Sequence, residues 1–360
     1  MAKALIFSDL HIHAHKDRVD RLQHCLDVLN WIFEEANRQE CDYIFFLGDL
    51  FHEREKIDVL NYMKTFECFM HHMMNDNSSR EMYLLVGNHN MYHKERWDVN
   101  SVKPLTAIPR VHIVDKPTSI KFGKTQIDWM PHTDNPIKEL EKLKKNNSVG
   151  DILFGHMSVH GAQLNICFGT KSDVIVEYDN EMIPVDPSIF DDWKMTFLGH
   201  YHGAQQLNEK AEYVGSPLEL TFGEAFQEKH VIVLDLDTLS KKYIVNNFTP
   251  KHLIVTPKDI KNEVYDLSGN FVRLTLENVT QKELVDLKKT INENYKILSF
   301  DTKKKERKTE EDEIIIENAK ALMLNINEML KNYVKERGVP DGLNENKLIK
   351  AGEKCLEKTT

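Results

Sequence analysis

Five short segments carry side chains whose types and spacing suit a site for two metal ions: Asp9-x-His11, Gly48-Asp49, Gly87-Asn88-His89, Gly155-His156 and Gly199-His200-Tyr201-His202. Asp9 and His11 lie two apart, so in an extended segment both project to the same side and can grip one ion. Asp49 offers a carboxylate able to share its oxygens between two cations, and Asn88 offers a neutral oxygen. His156, His200 and His202 complete an inventory of oxygen and nitrogen donors without a thiolate, which suits manganese or iron and tolerates magnesium or zinc. Two such ions would polarise a phosphate, lower the pKa of a bound water and stabilise an in-line displacement. His89, beside Asn88, is left to act as general acid toward the leaving oxygen. The expected chemistry is hydrolysis of a phosphoester.

Positioning these groups falls to apolar runs of strand length. Residues 4–7, 43–47, 82–86, 152–154 and 195–198 each end just before one of the segments. In an open α/β sheet the carboxyl ends of strands converge on one crevice, so ligands far apart in sequence can meet there. Glycine precedes the polar residue at positions 48, 87, 155 and 199, where the absence of a Cβ allows a sharp turn and close approach to an ion or phosphate. Helical periodicity over 17–38, through Val19, Leu22, Leu26, Leu29 and Phe33, joins the first two strands into a βαβ unit and hence a parallel pair. A second helix over 57–74 is rich in Met and aromatic residues (Tyr62, Met63, Phe66, Phe69, Met70, Met73, Met74). It reads as a core helix or, in part, as a homodimer contact.

From residue 111 the strands shorten. Residues 118–122 and 125–130 flank Gly123-Lys124 as a hairpin, 135–146 is a short charged helix, and 213–217 and 230–236 are two further strands. The layout is that of a layered sandwich of sheets flanked by helices, over residues 1–249. Beyond 250, a strand at 271–276 and a helix at 281–292 form a small α/β domain, 250–302. The charge-dense stretch 303–313 reads as a solvated linker. After it, Ile315, Ala319, Leu322, Ile326, Met329 and Tyr333 form a heptad-like stripe, and 343–356 offers a second, weaker helix. This 303–360 tail has little core of its own, so it is a candidate partner-docking segment or packs back on its own domain.

The chain of 360 residues exceeds the size at which one core usually stops growing, which favours more than one domain. No apolar run approaches the roughly 20 residues that span a bilayer, and the N-terminus leads straight into a strand, so no membrane association and a cytoplasmic location are expected. Cys25, Cys41, Cys68, Cys167 and Cys355 are scattered without C-x-x-C spacing and read as reduced packing residues. A net charge of -10 argues against binding nucleic acid by bulk electrostatics, but a local basic strip or the cations themselves can still attract DNA.

The ordered set Asp9-x-His11, Gly48-Asp49, Gly87-Asn88-His89, His156 and Gly199-His200-x-His202 resembles the calcineurin-like metallophosphoesterase superfamily. The segments Gly48-Asp49-Leu50-Phe51-His52, Gly155-His156-Met157-Ser158-Val159-His160-Gly161-Ala162 and 213–224, with Gly215-Ser216-Pro217 and Glu224, resemble its SbcD branch. That branch comprises nuclease subunits of double-strand-break repair complexes, the meiotic recombination nucleases and the T-even phage recombination nuclease among them. The resemblance covers about residues 1–240. It implies a four-layer sandwich of two central mixed sheets flanked by helices, a small capping domain, and a C-terminal segment that binds an ABC-type coiled-coil ATPase of the SbcC kind. It further implies a DNA exonuclease and endonuclease with two divalent ions, manganese expected. Asp9, His11, Asp49 and His202 would hold one ion, and Asp49, Asn88, His156 and His200 the other. His89 would be the catalytic acid, with His52 positioning substrate. A small-molecule phosphodiesterase, a protein phosphatase, or a metal-free scaffold are the alternative readings. One position departs from the pattern: residue 90 is Asn where the superfamily usually has Asp or Glu, so a carboxylate that would favour the imidazolium of His89 is missing there. His13, His15, His71, His72 and His160 match no ligand position.

Overall fold

The computed structural model describes residues 2–13, 19–75, 79–93, 96–146, 149–163, 184–276 and 280–304. Apart from Lys304 these belong to one compact unit. Residues 303 and 304, expected to open the linker, instead end a strand at Ser299–Lys304; the rest of the linker, the heptad stripe and the helix at 343–356 lie outside the described residues, as do His15, Cys167 and Cys355.

Two six-stranded mixed sheets make the centre. In the first, β1 (Lys3–Phe7), β2 (Tyr43–Phe46), β3 (Glu81–Leu85) and β4 (Val111–Val114) run parallel. In the second, the hairpin β5 (Thr118–Phe122) and β6 (Thr125–Met130) leads into parallel β7 (Ile152–His156) and β8 (Met195–Gly199). β9 (Gln205–Gln206) and β10 (Ala211–Tyr213) complete the second sheet, and β11 (His230–Asp235) and β12 (Lys241–Val245) the first, with β11 antiparallel to β1. The central strands are buried on both faces, which is why they are continuously apolar rather than alternating. Ala4 and Ile6 of β1, Phe45 of β2, Trp129 of β6, Phe154 of β7 and Phe197 of β8 fill the space between the sheets. Trp129 meets Phe45 and Phe154 edge-on at 5.3 and 4.8 Å. Leu5 and Phe7, on the opposite face of β1, pack under α1 (Val19–Arg38) and α2 (Val59–Asn75). Leu140 and Leu143 of α3 (Pro136–Asn146) cover the outer face of the second sheet. The result is the four-layer sandwich of helix, sheet, sheet and helix.

A third, three-stranded sheet follows: β13 (His252–Val255), β14 (Phe271–Leu276) and β15 (Ser299–Lys304). With α4 (Pro257–Lys261) and α5 (Gln281–Asn294) it encloses its own apolar cluster around Val255, Val272, Leu274 and Ile291. Both helices begin with a Thr whose hydroxyl accepts from the third helical amide, Thr256 with Asp259 and Thr280 with Glu283.

Two elements differ from the sequence expectation. The strand at 213–217 ends at Tyr213, because Gly215 takes a left-handed φ of 74° and Pro217 has no amide to donate to a ladder. On α2 the buried stripe is Asn61, Thr65, Phe69 and Met73, while Val59, Leu60, Met63 and Met74 are exposed, so the helix is core on one side only. Cys25 and Cys41 are buried thiols, as packing residues should be.

His230, which opens β11 between β12 and β1, gives a test of the packing there. Burial and the neighbouring Lys229 push its pKa down to about 4 from an ordinary 6.5. A depressed folded-state pKa contributes stability that is complete above pH 6.5 and lost as the pH falls through 4. Urea midpoints at pH 7 and pH 5 should therefore show His230→Phe losing about 1–2 kcal/mol less than the parent over that interval. An equal loss in both proteins would remove His230 from the acid sensitivity.

Candidate metal centre

The carboxyl ends of β1, β2 and β3 in one sheet and of β7 and β8 in the other meet along one rim, and every expected ligand stands there. The two sheets are joined at that rim by hydrogen bonds. The backbone N–H of His200 donates to both oxygens of Asp9, at 3.1 and 3.0 Å, and His156 Nδ1 donates to the carbonyl of Leu47 at 2.7 Å. The loops after β1 and β2 are also zipped together, Asp9 N to Gly48 O and His11 N to Asp49 O, each at 3.0 Å.

This rim is conformationally expensive. Asp9, His11, Asp49 and His200 all have positive φ, at 52°, 45°, 63° and 103°. Each costs about 1–3 kcal/mol and persists only when its surroundings over-determine it. Such strain gathers where side chains must be aimed rather than where packing alone decides. Gly48 shares this geometry, with φ of 109°. Gly87 does not; its φ is -92°. There the missing Cβ matters for space, since one would strike Asp49 Oδ1 and lie 2.8 Å from the His156 ring.

The side chains gather into two nests. In one, His11 Nε2 faces His202 Nε2 at 3.0 Å and stands 3.8 Å from Asp9 Oδ1. In the other, His156 Nε2 lies 2.9 Å from Asn88 Oδ1 and 3.2 Å from Asp49 Oδ2, and His200 Nδ1 lies 3.1 Å from the same Asn88 oxygen. Asp49 stands between them, its Oδ2 also 3.7 Å from His11 Nε2. Asp9, His11 and His202 form one group that could hold an ion, Asp49, His156 and His200 another, and His11, His52 and His89 a third that lacks a carboxylate. His89 lies beside this pair: its backbone N–H donates to Asp49 Oδ1 at 2.8 Å, and its Nδ1 donates to the His52 carbonyl at 2.5 Å. His52 is exposed, with Nδ1 3.4 Å from His11 Nδ1.

Electrostatics favour a cation here. Burial opposes ionisation of Asp9 and Asp49, yet His11 and His156 hold Asp9 below the ordinary carboxylate range, and His156 holds Asp49 well below it. Burial works against a charge on His156 too, but the Asp49 carboxylate wins and raises it to about 9. Burial pushes His11 down to about 4 and His200 to about 3, the latter helped by the charge of His156. Two ionised, buried carboxylates thus face the His156 imidazolium, and Glu224 raises His202 against the opposing effect of burial, while the imidazoles of His11 and His200 stay neutral on the same space. Buried charge without full compensation is costly, and a divalent cation would supply what is missing. The donor set therefore fits divalent ions.

The roles of supporting residues escaped the sequence reading. Asn90 replaces no carboxylate function at His89: its Oδ1 accepts from the backbone N–H groups of Asp49, at 2.9 Å, and Gly87, at 3.1 Å. It locks the two loops together, and what holds the His89 ring is the His52 carbonyl. Arg54 Nε donates to the carbonyl of Asn88 at 3.0 Å. Glu224 Oε1 accepts from His202 Nδ1 at 3.1 Å. Of the histidines without a ligand position, His13 Nδ1 bonds the His11 carbonyl at 2.6 Å and His72 Nε2 bonds Asn30 Oδ1 at 2.8 Å.

A two-sheet sandwich with histidine, aspartate and asparagine converging at one rim defines a metallophosphoesterase. The chain belongs to the calcineurin-like phosphoesterase family, whose pattern matches residues 2–203, more than half its length. Among characterised proteins it is similar to exonuclease subunit 1 of Enterobacteria phage T4, at 26% identity over 207 residues; the match covers 57% of this chain and 57% of that protein. Among solved structures it resembles a Thermus thermophilus protein at 11% identity and TM-score 0.42, covering 68% of this chain and 98% of the other. A dimetal phosphatase from Danio rerio aligns at 12% identity and TM-score 0.40, covering 68% and 98%. Among the described residues no helix is long and apolar enough to cross a membrane.

Proposed function

We propose that the chain is a DNA nuclease subunit that hydrolyses phosphodiesters with two divalent cations, manganese first among them, alongside an ABC-type coiled-coil ATPase. The likeness to the phage exonuclease subunit carries the DNA reading; the site alone supports phosphoester chemistry of a broader kind. Asp9, His11, Asp49 and His202 hold one ion, and Asp49, Asn88, His156 and His200 the other. Bound there, the ions supply charge neutralisation at the phosphate and an activated water.

The chain's own residues do the rest. Because His89 Nδ1 donates to a carbonyl oxygen, the proton for the leaving oxygen would be carried on Nε2 of the imidazolium. The bond from His89 N to Asp49 Oδ1 fixes that ring relative to the shared carboxylate. His52, exposed and close to both His11 and His89, steadies the substrate phosphate. The exposed apolar side of α2 is the candidate homodimer contact, and the cytoplasm of a bacterial or phage-infected cell is the expected setting.

The test compares turnover of linear duplex DNA, a chromogenic diester and a phosphopeptide with manganese. Preference for DNA supports the reading, whereas preference for the phosphopeptide makes the chain a protein phosphatase of the same fold. Fewer than one bound ion per chain after manganese loading would instead favour a scaffold. For the tail, deleting residues 310–360 should leave diester hydrolysis intact and end co-purification with the ATPase; retained co-purification would refute docking through this segment.

A further inference from the structure

We propose that Glu224 is the positioning residue for His202, holding its imidazole with Nδ1 protonated so that the Nε2 lone pair is kept for the ion that His202 would hold together with His11. This rests on the reading of the site as a metal centre. Glu224 is 1% exposed and sits in a short turn after Thr221, whose hydroxyl accepts from Gly223 N. Its two oxygens have separate duties. Oε2 accepts from Lys229 Nζ at 2.7 Å and from the backbone N–H of Leu220 at 3.1 Å, with Ser216 Oγ a further 3.1 Å contact. Oε1 is left to His202 Nδ1, at 3.1 Å.

A carboxylate so surrounded by donors can only accept. His202 Nδ1 must therefore donate, and in the neutral ring the lone pair is then confined to Nε2, 3.0 Å from His11 Nε2. Ligating histidines are commonly oriented by a carboxylate on the far ring nitrogen. The turn that carries Glu224 is itself pinned. The Arg273 guanidinium of β14 lies 4.0 Å over the Phe222 ring, and Lys229 Nζ also donates to the His202 carbonyl at 2.9 Å. The backbone and the ring of His202 are thus gripped by the same buried pair.

Glu224→Gln makes a sharp test, because the amide has one acceptor end only. Its oxygen must face Leu220 N and Lys229, so its NH2 faces His202 Nδ1 and demands the opposite tautomer, with Nε2 protonated. Long-range 1H–15N spectra of the metal-free protein at alkaline pH, with His202 assigned by comparison with His202→Gln, should show the tautomer inverted. Calorimetric titration with manganese should show one of two ions bound roughly 10–100-fold more weakly, and Glu224→Asp should recover part of the loss. Leaving Lys229 buried without its carboxylate is destabilising; if Glu224→Gln fails to fold, Glu224→Gln with Lys229→Met removes the stranded charge and keeps the Leu220 N–H as the orienting donor. An unchanged tautomer together with two ions at parental affinity would overturn the assignment. A parent that takes up two ions yet cleaves no diester would instead overturn the proposed function and leave Glu224 where it is.

Discussion

Asp49→Asn should abolish hydrolysis of DNA and leave the fold intact. The position tolerates asparagine better than alanine, since φ is 63° and asparagine is among the few residues that enter the left-handed region readily. The amide oxygen can still accept from His89 N at the Oδ1 position, so the loop keeps its shape. What changes is Oδ2, which stands 3.2 Å from His156 Nε2 and 3.7 Å from His11 Nε2. There a shared anionic oxygen becomes an NH2 group that directs protons at both nests. Losing metal-based charge stabilisation of several kcal/mol corresponds to roughly a thousandfold or more in rate. Manganese should raise the melting temperature of the parent and barely move that of the variant, because an ion stabilises only what it binds. Undiminished cleavage of linear DNA by Asp49→Asn would sink the assignment of Asp49 as the shared ligand.

The meeting of the candidate ligands at one rim was legible because three conditions coincide in sequence. Short apolar runs buried on both faces stand out, parallel strands deliver their carboxyl ends to one rim, and glycine marks where the chain leaves the sheet. The helices α1, α3 and α5 were legible by period and charge. What supports the ligands was not. Asn90 acts on backbone amides of residues 49 and 87, and nothing in the string Gly-Asn-His-Asn tells that its side chain turns back rather than outward. Glu224 reaches His202 across a turn of irregular backbone, where no period exists to read. The strand β12 was missed for a different reason. β12 is only partly buried, with the burial of an edge strand, and its sequence Lys-Lys-Tyr-Ile-Val carries little alternation. α2 shows the limit of counting apolar residues: the buried stripe includes Asn61 and Thr65, and Thr65 is accommodated because its hydroxyl donates to the Asn61 carbonyl at 2.7 Å.

His89→Ala separates proton donation from metal binding, and its effect should depend on the leaving group. The ring contributes no member to either nest of ligands described above. Its fixed points are the backbone N–H on Asp49 Oδ1, which alanine retains, and Nδ1 on the His52 carbonyl, which alanine loses. Manganese uptake should therefore match the parent. On DNA, where a sugar alkoxide must leave with a proton, removal of the acid should lower kcat by about 10²–10⁴. On a nitrophenyl diester the departing phenolate is stable without protonation, so the same variant should lose far less. A histidine that merely packs, or that binds phosphate in the ground state, would depress both substrates alike or raise KM with kcat preserved. Equal losses on the two substrates would therefore remove His89 from the role of acid while leaving the metal centre untouched.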